Sequence, residues 1–147
     1  MKYLITGGKN RVTTVTLSTS EKNITSRIEH LTSLNNPDLQ WAVFEPVEIN
    51  PILSDLNKDC NAFRLRNGTL ELRPTAGIKM GPGPFGVGGS AFVDVVYSAE
   101  DAPTKLVEVN GQVVNAPFLF EFDEPGVYHF VPVSPAHYCY YTTIEIL

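Results

Sequence analysis

Apolar and polar residues alternate along two stretches at the start of the chain, KYLIT (2–6) and RVTTVTLS (11–18), separated by the turn-like cluster GGKN (7–10). That pattern predicts two strands of a hairpin. The period then changes. Ile24, Ile28, Leu31 and Leu34 fall at spacings of four, three and three, which predicts one amphipathic helix over residues 21–34, capped by Ser20 or Thr19 and ended before Pro37. WAVF (41–44) reads as a short strand, EPVEINP (45–51) carries two prolines at extended positions, and ILSDLNKD (52–59) reads as one or two helical turns. AFRLR and TLELR flank Asn67-Gly68, the pair preferred in type I′ hairpin turns. Alternation puts Phe63, Leu65, Leu70 and Leu72 on one side and Arg64, Arg66, Glu71 and Arg73 on the other, where opposite charges support the register.

The second half reads as strand throughout. AFVDVVY (91–97), KLVEV (105–109), QVVN (112–115), FLFEF (118–122), VYHFVPV (127–133) and YCYYTTIEIL (138–147) are separated by turn residues, among them a second Asn-Gly at 110–111. The expected fold class is mainly β: a mixed α+β first half (1–76), a Gly/Pro-rich loop or linker (77–89), and an antiparallel β-sandwich (90–147). Strands from the first half completing the sandwich would make the glycine-rich run a loop within one domain.

That run contains GPGPFG (81–86), which matches the G-x-G-x-x-G pattern of dinucleotide-binding turns. The match fails on chemistry. Pro82 and Pro84 remove two of the N–H donors a pyrophosphate needs, and a strand, not a helix, follows. Five glycines and two prolines in residues 81–90 read as an irregular connection.

Composition narrows the picture further. A chain of 147 residues, 43% of them hydrophobic, is enough to build a real core in one domain or two small ones. With 11 basic against 16 acidic residues and a net charge of −5, a nucleic-acid or anionic-membrane partner is disfavoured. No apolar run approaches the about 20 residues that span a bilayer, and the amino terminus lacks the apolar core of a signal peptide. Synthesis and assembly inside a cell, in the cytoplasm, is the expectation, and Asn23 and Asn67, which match the glycosylation pattern, read as chance. Cys60 and Cys139 make no disulfide framework, although one bridge between the halves is geometrically possible.

Candidate chemistry is sparse. His137 and Cys139 share a strand face, as a metal site or nucleophile pair requires, but zinc needs three or four ligands, and a half-buried strand face is the plainer reading. Glu121 with Asp123, and Glu45 with Glu48, are what the wet side of a sheet shows. No Ser nucleophile elbow, P-loop lysine or helical His-x-x-x-His occurs, so no catalytic, cofactor or metal residue is assigned. The aromatics stand out more. Eight of fifteen lie within residues 118–141. Phe118, Phe120 and Phe122 share one face, assigned to the core. Tyr138 and Tyr140 share a face, and Tyr141 shares the opposite one with His137 and Cys139, so one set lies outside the core. Tyr138, Tyr140, Tyr141 and His137 are therefore the candidate partner-binding residues, suited to a protein interface or to sugar stacking.

VEVNGQ (107–112), FLFEF (118–122) and EPGVYHF (124–130) together resemble the second half of immunoglobulin-like modules of bacterial surface proteins and tailed-phage virion proteins. The resemblance covers residues 91–147 and implies a sandwich in which Tyr128 forms a tyrosine corner. The paired cysteines and core tryptophan of immunoglobulin domains are absent. The first half, with its Asn67-Gly68 hairpin and FEPVEINP (44–51), is similar to small phage head and tail accessory proteins. The implied function is non-enzymatic: a structural or adaptor component of a virion, a capsid decoration, neck or tail accessory, assembled in the host cytoplasm, binding other virion subunits and its own copies. A carbohydrate-binding module or small glycan-active enzyme is the alternative.

Overall fold

The computed structural model describes residues 1–18 and 20–147; Thr19, one of the two expected helix caps, lies outside the described residues. The chain divides into two compact units, residues 1–73 and 74–147.

In the first unit β1 (Lys2–Gly7) is the centre of a three-stranded antiparallel sheet between β2 (Val12–Ser18) and β3 (Gln40–Phe44). The expected hairpin is formed, with a register shift at Gly7. A Cβ there would lie 2.3 Å from the Arg11 carbonyl oxygen, so only glycine fits the bend. Helix α1 (Glu21–Ser33) is capped by Ser20, whose hydroxyl accepts from the Asn23 N–H at 3.4 Å. Of its apolar stripe Ile24 is buried, Ile28 and Leu31 are half-buried and Leu34 is exposed.

EPVEINP departs from expectation. Only Glu45 is extended; Pro46 opens a helical turn, α2 (Pro46–Ile49), and Pro51 sits in the following 3-10 turn. Proline's missing N–H costs nothing in a first helical turn, and the Glu45 N–H instead donates to the Glu48 carboxylate at 2.9 Å. After α3 (Leu53–Lys58) comes the hairpin β4 (Phe63–Arg66) and β5 (Thr69–Leu72). Asn67 and Gly68 both have positive φ, as a type I′ turn requires, and Arg64 bonds Glu71 across the strands at 2.7 Å. Two side chains swap their expected sides. Leu72 is exposed, whereas Arg73 is buried and donates to the Asn61 carbonyl at 2.9 Å. Tyr3, Ile5, Val12, Ile49, Leu56, Phe63 and Leu65 form the core of this unit.

The second unit is built from two four-stranded sheets. One has the order β10-β7-β6-β12 and the other β13-β11-β8-β9, from β6 (Thr75–Met80), β7 (Ser90–Tyr97), β8 (Leu106–Val109), β9 (Gln112–Asn115), β10 (Phe118–Glu121), β11 (Gly126–Pro132), β12 (Tyr138–Cys139) and β13 (Thr142–Ile146). Every pairing is antiparallel except β12 with β6. One core is shared by both sheets: Ala76, Ala91, Val93 and Val95 from the first, Val107, Val109, Phe130 and Ile146 from the second, with Phe122 between. The molecule is mainly β, and this unit is sandwich-like.

Two sequence expectations change here. β6 takes residues 75–76 from the expected first half and 77–80 from the expected loop, so the sandwich begins at residue 75 and the glycine-rich run connects β6 to β7 inside it. That run is anchored. Phe85 packs against Phe122 with ring centroids 5.6 Å apart, the Gly88 N–H donates to the Phe122 carbonyl at 2.7 Å, and the Phe122 N–H donates to Gly89 at 2.9 Å. A strand and not a helix follows the glycines, and the Gly81 N–H inside the pattern already donates to the Phe92 carbonyl at 3.2 Å, so the run lacks the helix N-terminus and free donor of a dinucleotide turn. The stretch 138–147 is not one strand. It breaks at Tyr140–Tyr141, where the chain leaves the first sheet and joins the second.

Phe122 is fully buried and touches Phe85, Phe120 and Tyr128. Phe122→Ala is expected to lower the unfolding free energy of this unit by about 3–5 kcal/mol, read from denaturant titration followed by circular dichroism. A loss below about 1 kcal/mol contradicts the core described here.

Candidate interaction surface

The four candidate residues are separated by the break at Tyr140–Tyr141 and by burial. His137 is 3% exposed, which removes it from any partner surface. A tight turn makes the difference: Ser134 accepts from the His137 N–H at 3.2 Å, and the Ser134 hydroxyl meets His137 Nδ1 at 2.5 Å. His137 Nε2 donates to the Glu100 carbonyl. A carbonyl only accepts, so Nε2 carries a proton, and in the neutral ring Nδ1 is the acceptor for Ser134. The Tyr97 ring lies against the imidazole, tilted by 48° with centroids 4.8 Å apart. One ring nitrogen holds the turn and the other ties it to the loop at Glu100, so His137 is a structural residue. Cys139 also turns inward, with its sulfur 3.6 Å from the Ser134 and His137 carbonyl oxygens. Cys60 and Cys139 form no disulfide. Among the described residues no group of three or more His, Cys, Asp or Glu could hold a metal ion, and no helix is long and apolar enough to cross a membrane.

The tyrosines lie where the side-chain alternation sends them. Tyr138 is half-buried and Tyr140 is 56% exposed, their rings packed edge to face at 5.2 Å. Tyr138 pairs with Thr75, and the Tyr140 N–H donates to the Ala76 carbonyl at 2.8 Å, which puts Tyr140 beside Gly77 on the outer face of the β6–β7 sheet. Tyr141 goes the other way. It is exposed, stands 6.5 Å from the His129 ring, and flanks the second sheet, where His129 bonds Thr143 at 3.0 Å.

What sequence reading missed is the rest of the β6–β7 outer face. With Ala91, Val93 and Val95 in the core, the opposite phase of β7 carries Phe92 and Val96, each 50% exposed. Leu119, 63% exposed, pairs directly with Phe92. Between them Asp94 pairs with Lys79 and is bridged by Lys105 at 3.5 Å. The signal was present in SAFVDVVY, a strand apolar in both phases, which a sheet wetted on one side does not show.

The charges of the chain are unevenly placed. Residues 1–73 hold nine basic and eight acidic side chains, but residues 74–147 hold two and eight. Glu108 and Glu145 lie on the outer face of the second sheet and Asp123 and Glu124 in a loop. The apolar face of the first sheet holds a near balance of charge.

No protein-family model, curated protein or solved structure matches the chain.

Tyr97 gives this region a pH signature. Burial first, then the negative charges of Asp101, Cys139 and Asp94, raise its phenol above the ordinary 10.0. The folded chain therefore holds the proton more tightly than the unfolded chain. The resulting stabilisation is present in full below pH 10.0 and lost as pH rises through the folded-state value. Denaturant titrations at alkaline pH are expected to show stability falling, and Tyr97→Phe is expected to make that fall shallower; an unchanged slope contradicts the assignment.

Proposed function

We propose that the chain is a non-enzymatic structural or adaptor component of a bacteriophage-type virion, assembled in the host cytoplasm and acting through protein contacts. The observation that carries this reading is the outer face of the β6–β7 sheet, where Leu119, Phe92, Val96 and Tyr140 leave apolar surface in water on a sheet whose other side is already packed. Large apolar residues gathered on one exposed sheet face mark an interaction site more than ones scattered singly.

The immunoglobulin-like resemblance adds support. Strands β6, β7 and β10 take the order of the A, B and E strands in one sheet, and β8, β11 and β13 the order of C, F and G in the other, with β9 at its edge. The Tyr128 hydroxyl donates to the Glu124 carbonyl at 2.7 Å, the bond of a tyrosine corner. Immunoglobulin-like sandwiches act as binding and spacing modules in many assemblies, so the fold fits the role without fixing it.

The glycan reading rests on a different place, the exposed Tyr141 beside His129 and Thr143. Light scattering on the purified chain, paired with electrophoresis through gels containing soluble polysaccharides, separates the two. A multimer of defined mass, migrating at the same rate with and without polysaccharide, is expected. A monomer retarded by polysaccharide, with retardation lost in Tyr141→Ala, overturns the assembly reading in favour of a binding module.

A further inference from the structure

We infer that the outer face of the β6–β7 sheet is self-complementary and docks a second copy of this chain about a two-fold axis. The inference rests on the assembly reading and names the partner.

Cross-strand register sets the pattern. Phe92 lies opposite Gly81, whose N–H donates to the Phe92 carbonyl at 3.2 Å; Asp94 lies opposite Lys79, and Val96 opposite Gly77. All six face outward, because Ala76, Val93 and Val95 face the core. Strand β7 thus carries a large apolar residue, an acid and a large apolar residue in sequence. Strand β6 carries a glycine, a base and a glycine beside them. A Cβ at Gly77 or Gly81 would meet nothing within 4 Å, so both glycines are open recesses in the face.

Rotation by a half-turn about an axis lying in the interface, parallel to the strands and midway between β6 and β7, exchanges the two strands. Phe92 then falls over Gly81 of the second copy, Val96 over Gly77, and Asp94 over Lys79, each contact occurring twice. An isologous contact requires this reciprocity: whatever residue i presents to j, j presents to i. Bulk meets recess and acid meets base at every matched position. Leu119 and Tyr140 flank the six positions on either side and extend the apolar area.

Electrostatics agrees with this choice of face. Carboxylates elsewhere on residues 74–147 make contacts between other faces of this unit repulsive, whereas here Asp94 and Glu121 are balanced by Lys79 and Lys105. The four strands of this sheet hold four, eight, six and two residues, which at about 3.3 Å per residue and about 4.8 Å between strands give a face of about 320 Å². Two such faces fall below the about 1,000 Å² of a stable specific interface, so the dimer is a weak, transient one, with a dissociation constant of about 10–100 μM.

Sedimentation equilibrium on the full chain, wild type and variants, tests this. The wild type is expected to dimerise in that range. Gly77→Leu fills the recess under Val96 without touching the fold and is expected to weaken dimerisation at least about tenfold, and Lys79→Glu, which sets two carboxylates against each other, by about tenfold at low salt. Val113→Glu, on the outer face of the other sheet, is expected to leave it unchanged. Should Gly77→Leu lose its native circular dichroism, Phe92→Ala removes the matching bulk and carries the same expectation. A multimer that survives Gly77→Leu and Phe92→Ala overturns the inference and leaves the assembly reading standing; a wild type that stays monomeric throughout overturns the inference and removes self-assembly from that reading as well.

Discussion

Phe122 ties the second unit together twice over. Its ring is fully buried among Phe85, Phe120 and Tyr128, and its own backbone exchanges hydrogen bonds with Gly88 and Gly89. One residue therefore holds the end of β10, the start of β11 through Tyr128, and the glycine-rich connection in one place. Because that connection is pinned, β6 is delivered to the edge of β7, and the sheet gains the strand that makes the sandwich whole. The outer face with Phe92 and Val96 exists only because β6 lies there: its glycines and Lys79 are half of it.

A division of labour follows across the two faces of β7. The inner phase, Ala91, Val93 and Val95, does what small and branched residues do in a packed sheet. Its outer phase spends apolar surface on water with no gain to this chain's own core, which is the physical reason for assigning it to a partner. Meanwhile the acidic excess of residues 74–147 lies mostly elsewhere. Within this unit, association between copies is discouraged by like charge except on the face where the charges balance.

Local signals made much of this legible from the chain itself. The 2–18 hairpin, the helix stripe from Ile24, both Asn-Gly turns and most strands of the second half were readable because period and turn chemistry are local properties. Non-local facts were not readable. β6 hides in a glycine-containing stretch whose strand character comes from its pairing with β7. His137 looked like surface because nothing in the sequence tells that Glu100 will meet its far nitrogen. Pro46 looked extended because the same residue that breaks a helix also begins one.

The claim on which the rest stands is that residues 75–80 belong to the sandwich and that the glycine-rich run is an internal loop of it. Amide hydrogen exchange on the fragments 74–147 and 90–147, compared with the full chain, addresses this directly. Fragment 74–147 is expected to retain the full-chain protection of β7, β8 and β11, and 90–147, deprived of β6 and of the Phe85 contact, to lose it. Equal protection in the two fragments would contradict the claim.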